Sequence, residues 1–242
     1  MSDYATAAEF YDLLYRGEKD YAAEAEVIAG ILHGVDPAIT SVLDVACGTG
    51  SHARALLDLG FRVDGVDLEP TFVDVARAKC PEGAFHVGDM TRLELPQRYD
   101  AVTCLFSAIG YARSNGELSS TLAGMRAHLN PGGVVVVDPW FEPGQLTNGW
   151  ISTLIAKDDD VSVCRMSRTL VDGGVSRLEF EYLIGTPAGI ERRSEVHQLT
   201  LFTQHEMEAA FFAAGLTVER LPEVLRTRGL YVGRALPDPE RT

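Results

Sequence analysis

Asp44, Ala46, Gly48 and Gly50 form a D-x-A-x-G-x-G string whose residue types and spacing suit a nucleotide-like ligand. An apolar run over 42–46 leads into the glycines and 51–59 follows with helical spacing, so the local order is strand, tight turn, helix. Gly48 and Gly50 free the backbone and remove Cβ atoms where a ligand must approach the main chain. The helix behind them presents unpaired N–H groups to a carboxylate or phosphate. Gly48-Thr49-Gly50-Ser51-His52-Ala53 also fits the loose dinucleotide pattern G-x-G-x-x-[GA], with Asp67 where a ribose-binding acid belongs. Asp44 tips the balance. An acid inside the first strand repels a pyrophosphate but attracts the amino group or sulfonium of S-adenosylmethionine. The string reads as a methyl-donor loop.

Alternating elements must position this loop. Residues 1–34 read as two helices, the first carrying Phe10, Leu13 and Leu14 and the second Ala25, Ile28 and Leu32 before Gly34. Tyr4, Tyr11, Tyr15 and Tyr21 crowd this section and suit two roles: rings capping the sheet edge, or a lid over the donor with Tyr4 and Tyr21 reaching substrate and Arg16 meeting a carboxylate. Strands are expected at 41–46, 62–67, 84–87, 101–106 and 134–138, the last after a Pro131-Gly132-Gly133 turn, with Pro70 opening a helix to Ala78. Asp67, Asp89, Ser107 and Asp138 fall at carboxyl ends of these strands, where ligands of such sheets sit.

From 161 to 202 the pattern changes to period two, with Asp172-Gly173-Gly174 and Pro187-Ala188-Gly189 as turns, which predicts an inserted antiparallel meander that covers the substrate pocket, pairs with another subunit, or both. His197 within it reads either as a satisfied sheet residue or as a catalytic group. Thr203-Gln204-His205-Glu206 is a capping box opening a helix to Ala214. Strands at 217–221 and 229–235 then close the sheet edge. The division is a helical lid at 1–34, a donor-binding core at 35–160, the insertion at 161–202, a returning helix and two strands at 203–236, and a tail at 237–242.

The chain has 242 residues, enough for one large α/β domain. Its formal charge of −14 disfavours a nucleic-acid partner. Cys47, Cys80, Cys104 and Cys164 are scattered with no C-x-x-C pair, against a zinc site or disulfide framework and in favour of a reducing cytoplasm. The acidic start carries no export signal and the longest uncharged run, 101–112, is too short to span a bilayer.

Together with Asp67, Gly88-Asp89-Met90 and Leu129-Asn130-Pro131-Gly132-Gly133 in order, the donor string resembles the class I S-adenosylmethionine-dependent methyltransferases. That resemblance implies an α/β, Rossmann-like fold with a mostly parallel seven-stranded sheet and helices on both faces. It also implies S-adenosyl-L-methionine as cofactor, held by Tyr11, Arg16, Ala46, Cys47, Gly48, Gly50, Asp67, Leu68, Asp89, Met90 and Leu105. Asp67 would accept the ribose hydroxyls, and Asp89 the adenine amino group, with Met90 on the ring; an Asp-Met pair after a strand also suits a plain helix cap.

Further segments narrow the resemblance: Asp3-Tyr4, Lys19-Asp20-Tyr21, Cys104 through Gly110, Val137-Asp138-Pro139-Trp140-Phe141, Leu199 through Thr203 and Arg228-Gly229-Leu230. These look like the bacterial N-methyltransferases of the desosamine and mycaminose group, which dimethylate thymidine-diphosphate-linked 3-amino-deoxyhexoses for antibiotic sugars. The likeness implies a homodimer to which the meander contributes. It makes Tyr4, Tyr21 and Tyr111 the catalytic candidates, Ser107 a substrate contact, Trp140 and Phe141 a wall, and Arg228 the diphosphate partner. Trp140 also suits a core role. No metal is implied.

Two departures stand out. Relatives carry a histidine as proton acceptor where this chain has Tyr111, and a phenol with an ordinary pKa near 10 is a poor base at neutral pH. Deprotonation then runs through water, or Tyr111 is a hydrogen-bonding wall for a different hexose. The glycine-rich segment before Arg228 is replaced by Pro222-Glu223-Val224-Leu225-Arg226-Thr227, which makes Arg226 a second candidate for the diphosphate. The rival readings are a methyltransferase with another amine or hydroxyl acceptor, a nicotinamide-dependent oxidoreductase, and a non-catalytic nucleotide-binding module.

Overall fold

A computed structural model describes residues 8–222, 224–225 and 228–236; Tyr4, Arg226 and the 237–242 tail lie outside them. The described residues begin with a 3-10 turn at Ala8–Phe10 and two helices, α1 (Tyr11–Tyr15) and α2 (Tyr21–Val35). Asp20 caps α2 by accepting the Ala23 N–H. The alternating section follows as β1 (Ser41–Val45), α3 (Ser51–Asp58), β2 (Arg62–Asp67), α4 (Pro70–Lys79), β3 (Phe85–Val87), β4 (Tyr99–Cys104), α5 (Asn115–Ala127) and β5 (Leu129–Val137). After a second sheet, α6 (Gln204–Ala213), β10 (Glu219–Leu221) and β11 (Leu230–Arg234) return to the first, and the expected capping box of Thr203 and Glu206 opens α6.

The seven strands lie in the order β10-β11-β5-β4-β1-β2-β3; β5, β4, β1, β2 and β3 are parallel, β11 runs antiparallel to β5, and β10, antiparallel to β11, returns to the direction of the five. Helices cover both faces. Along β5, Val134 and Val136 pack towards α2, α3 and α4, whereas Val135 and Val137 pack towards α5 and α6. Every one of these valines is fully buried, the period-two signature of a strand covered on both sides. Chain order reverses between β1 and β4, so the loops leaving their carboxyl ends diverge and leave a crevice between them.

Two expectations need correcting. Pro131-Gly132-Gly133 is no turn ahead of a strand; β5 already begins at Leu129, and the three residues sit in an irregularity where the register against β4 shifts between Tyr99 and Ala101. The insertion also begins before residue 161. Its sheet has four strands, β6 (Trp150–Lys157), β7 (Ser162–Asp172), β8 (Val175–Thr186) and β9 (Gly189–Thr200), and β6 pairs along its whole length with β7. In β6 the inward positions are Ser152, Leu154 and Ala156 while Ile151 and Ile155 face out, which inverts the usual alternation and hid the strand. Leu14 of α1 inserts among Val163, Tyr182 and Ile184 of this second sheet.

At the opposite end of the first sheet from the crevice, Asp100 joins three strands. Its Oδ2 accepts the Ser41 hydroxyl at 2.8 Å and the Ser41 and Thr40 N–H groups, and its Oδ1 accepts the Asn130 amide at 2.8 Å. Partial burial acts to raise this carboxyl, but the bonds from Asn130, Ser41 and Thr40 outweigh it and hold it at about 2. Asp100→Ala is expected to destabilise the fold by about 2 kcal/mol in urea denaturation at pH 7. Because a depressed carboxyl stabilises above its unfolded value and loses that contribution as pH falls through its folded one, the gap should close between pH 4 and 2.

Candidate active site

The loop leaving β1 is held in shape by the acid ending β2. Asp67 Oδ2 accepts the Gly48 N–H at 2.8 Å and Oδ1 the Glu69 N–H at 2.9 Å. Ala46 and Gly48 lie in the left-handed region, at φ 57° and 55°, so the chain doubles back directly after the strand. A Cβ on Gly48 would meet nothing within 4 Å, leaving that side of the loop open to a ligand, whereas one on Gly50 would lie 3.0 Å from the Ala76 Cβ of α4. Leu68, beside Asp67, is 57% exposed on the rim.

Asp44 lies beneath the loop, 2% exposed, with Oδ1 accepting the Thr103 hydroxyl at 2.9 Å. Burial raises its carboxyl to about 6, against the lowering influence of His52 and Thr103. The Cys47 thiol is pushed up by burial and then by Asp44 and Asp67, so it is no nucleophile. A loop floored by one acid and edged by another suits a positively charged nucleoside and disfavours a diphosphate. That is the fit expected for the methyl donor. At the end of β3, Asp89 Oδ1 accepts both the N–H and hydroxyl of Thr91 at 2.8 Å, capping the 3-10 turn Met90–Arg92.

The N-terminal segment closes over this loop. Asp12 accepts the Thr49 hydroxyl at 2.6 Å and pairs with Lys79 at 2.7 Å; Lys79 in turn reaches the Ser51 hydroxyl at 2.8 Å. The Tyr11 ring packs 5.2 Å from Phe72, and its phenol is driven up by burial and then by Tyr15, Tyr21, Tyr111 and Asp67, a set of neighbours spanning donor loop and acceptor side. Tyr21 lies edge-on to His52 at 4.8 Å, where Glu24 bridges His52 and Lys19. Burial and then Asp12 raise its phenol. Arg16, at the end of α1, has a 67% exposed side chain that pairs with Asp158 in the β6–β7 loop.

Across the crevice, Phe106 and Ser107 follow β4 with φ of 53° and 63°, two consecutive left-handed non-glycine residues. This turn aims the Ser107 hydroxyl at the Pro139 carbonyl, 2.9 Å away. Arg228 donates to Ser107 Oγ at 2.6 Å and to Pro139 O at 2.9 Å, stands 3.9 Å from Asp138, and lies over the rings of Phe141 and Trp140 at 4.6 and 5.2 Å. Burial lowers this guanidinium, while Asp138, raised to about 6 by burial, works against that. Trp140 Nε1 donates to Ser176 Oγ of the meander at 2.8 Å. A cleft beside these residues is lined by Ile109, Pro139, Trp140, Glu142, Arg220 and Arg228.

The structure thus brings Tyr11, Ala46, Cys47, Gly48, Gly50, Asp67 and Leu68 to one side of the crevice and Ser107, Trp140, Phe141 and Arg228 to the other. Leu105, 4% exposed, belongs to the same core cluster as Cys47 of the donor loop. Sequence reading missed Asp12 and Lys79, whose partners are remote in the chain, and Arg220, which donates to Gln204 at 2.7 Å and Glu142 at 3.1 Å. No local motif marks any of the three.

This strand order, with an acid and a glycine elbow at the switch point, defines a class I methyltransferase, and residues 42–133 match the methyltransferase domain family. The chain is 41% identical, over 93% of its length and 96% of the relative's, to a dTDP-3-amino-3,4,6-trideoxy-alpha-D-glucopyranose N,N-dimethyltransferase of Streptomyces venezuelae. To a dTDP-3-amino-3,6-dideoxy-alpha-D-glucopyranose N,N-dimethyltransferase of Streptomyces fradiae it is 40% identical, over 96% and 92%. The SAM-bound structure of CalS10, an amino pentose methyltransferase from Micromonospora echinaspora, superposes with a TM-score of 0.85 at 36% identity, covering 93% of this chain and 96% of that one. The chain belongs to this family of bacterial sugar N-methyltransferases.

Asp44 gives a stability test. A carboxyl raised on folding opposes the fold in its charged form; the cost is absent below pH about 4, grows to pH 6 and is full above. Asp44→Asn, which keeps an acceptor for Thr103, is expected to raise Tm at pH 7.5 by roughly 4–8 °C and to match the parent near pH 4 in thermal melts.

Proposed function

We propose that the chain transfers methyl groups to the 3-amino group of a thymidine-diphosphate-linked amino-deoxyhexose, twice, in the making of an antibiotic sugar. The methyl donor is S-adenosylmethionine. When bound it supplies a methyl group on a sulfonium, already carrying a good leaving group, so the protein's task is alignment and exclusion of water. Gly48, Gly50, Asp67, Leu68, Tyr11 and Leu105 would hold it, with Asp89 and Met90 at the adenine end.

The observation that carries the acceptor assignment is the Arg228 constellation. A largely buried guanidinium, fixed by Ser107 and Pro139 and faced by two aromatic rings, suits a diphosphate with an apolar wall for sugar or thymine alongside. The relatives that cover nearly the whole chain, meander included, support the same reading.

Two further parts of the reading concern assembly and location. The outer face of the second sheet exposes Ile151, Ile155, Met166 and Leu183, and this apolar surface supports a homodimer made through the meander. All four cysteines are free, in keeping with a reducing cytoplasm. Among the described residues no helix is long and apolar enough to cross a membrane.

Incubation with S-adenosylmethionine and thymidine-linked 3-amino and 4-amino hexoses is expected to add two methyl groups to the 3-amino sugar by mass spectrometry; methylation of neither sugar overturns the acceptor assignment. Light scattering should give twice the chain mass, and Ile155→Asp should shift it to the monomer. A monomeric parent protein would refute the dimer.

A further inference from the structure

Tyr111, half-buried at the end of the 3-10 turn Ala108–Tyr111, does not stand as an isolated phenol. Its hydroxyl lies 3.2 Å from His197 Nδ1, a residue of the meander 86 positions further along the chain. His197 Nε2 lies 3.3 Å from Glu195 Oε2, and that same oxygen accepts the Tyr182 hydroxyl at 2.9 Å. His197 and Glu195 are 7% and 5% exposed, two residues apart on β9 and so on one face of the strand. An ionised carboxylate only accepts hydrogen bonds. The network therefore assigns the Nε2–H to Glu195 and leaves the Nδ1 lone pair for the Tyr111 O–H.

The surroundings hold that arrangement. Phe180 packs 4.9 Å from the imidazole, Arg165 lies over Phe180 and donates to the Tyr15 hydroxyl at 2.7 Å, and Leu199 of β9 lies against Gly110. The titratable groups facing the pair are Tyr11 and Tyr15 from α1, Arg165 from β7, Tyr182 from β8 and Glu195 from β9. Tyr111 is within electrostatic reach of Tyr11, the residue that also faces Asp67 on the donor side, while the turn that carries Tyr111 begins beside Ser107, the partner of Arg228. A phenol–imidazole–carboxylate series, buried at its acidic end and opening at Tyr111 between the two halves of the crevice, is a proton path.

We infer that Tyr111, His197 and Glu195 form the proton exit of the transferase, with Tyr111 touching the amine and His197 as the store; this rests on the acceptor being an amino sugar. The substrate ammonium gives a proton to the Tyr111 oxygen as the phenol passes its own to His197 Nδ1, and Glu195 stabilises the imidazolium. The freed nitrogen lone pair then forms the N–C bond to the methyl carbon, and the electrons of the broken C–S bond stay on sulfur. The imidazolium returns its proton to water after product leaves. In the second round the secondary ammonium loses its proton along the same path.

The test compares kcat/KM between pH 6.5 and 9.5 for the parent, His197→Asn and Tyr111→Phe on a thymidine-linked 3-amino-deoxyhexose. Asparagine Oδ1 can accept from Tyr111 where Nδ1 did, but it takes up no proton. Both variants are expected to lose about 10²-fold at pH 7, mainly in kcat, and to close on the parent by pH 9.5, where the free amine supplies itself deprotonated. Profiles parallel to the parent's, whether at full activity or shifted down by one factor at every pH, overturn the relay. Should His197→Asn fail to fold, Tyr111→Phe alone decides by the same criterion. If the parent methylates no amino sugar, the acceptor assignment falls first and the relay with it, an outcome distinct from a parent that works and variants that track it.

Discussion

The glycine elbow keeps its shape because one carboxylate, Asp67, accepts a backbone N–H from each of two neighbouring loops: Gly48 after β1 and Glu69 after β2. Bonds to an ionised acceptor are stronger than those between neutral groups, and here they offset the cost of a left-handed alanine at position 46. The consequence is pre-organisation. A loop already bent around its ligand position needs little further ordering when the donor arrives, and less of the binding free energy goes into arranging the protein. Each Asp67 oxygen retains a second lone pair for a hydroxyl, so the residue that builds the cradle remains able to read what enters it.

Below and opposite this tie, Asp44 and Asp138 carry the opposite burden. Both are buried, both are raised to about 6, and Asp138 Oδ1 makes no hydrogen bond among the described residues although Arg228 is 3.9 Å away. A core built for stability alone would place apolar residues here. For Asp44, which lies beneath the donor loop, the charge that opposes folding is one that attracts a cationic donor. Asp44 therefore opposes the fold it sits in, whereas Asp100 at the far end of the sheet, held low by its hydrogen bonds, supports it.

Much of this architecture was legible in the sequence, because strand–glycine–helix order and period-two runs are local signals. Asp44, the glycines, Asp67 and the capping box at Thr203 all announce themselves within a few residues. What escaped depends on partners far along the chain. Asp12 acquires its role only when α3 and α4 bring Thr49 and Lys79 beneath it, 37 residues away in the case of Thr49. His197 read more readily as a sheet residue than as a catalyst, since nothing near it in the sequence indicates that Tyr111 folds against its ring. β6 went unread for a different reason: its two isoleucines face outward while Ser152 shares the inner face with Leu154 and Ala156, so the strand carries no clean apolar-in, polar-out alternation. Tyr4 and Arg226 lie outside the described residues.

The short helix α1 shows how the two sheets are made interdependent. Five residues cannot sustain a helix in water, so its position must come from what it touches. On one side Leu14, 2% exposed, is buried in the second sheet and contributes roughly 2 kcal/mol; Arg165 reaches Tyr15 and Arg193 reaches Glu9 from the same sheet. On the other, Asp12 pairs with Lys79 over the glycine loop, but their side chains are 38% and 23% exposed, and such a pair contributes about 1 kcal/mol or less. The aromatic residues of α1 add to the second side, where Tyr11 packs on Phe72 of α4 and Tyr15 lies edge-on to Phe106, so α1 is held between the meander and the first sheet. The insertion thus holds a cover over one half of the crevice while, through Trp140–Ser176 and Tyr111–His197, it touches the other half, and this is how an element outside the donor-binding sheet comes to bear on both reactants.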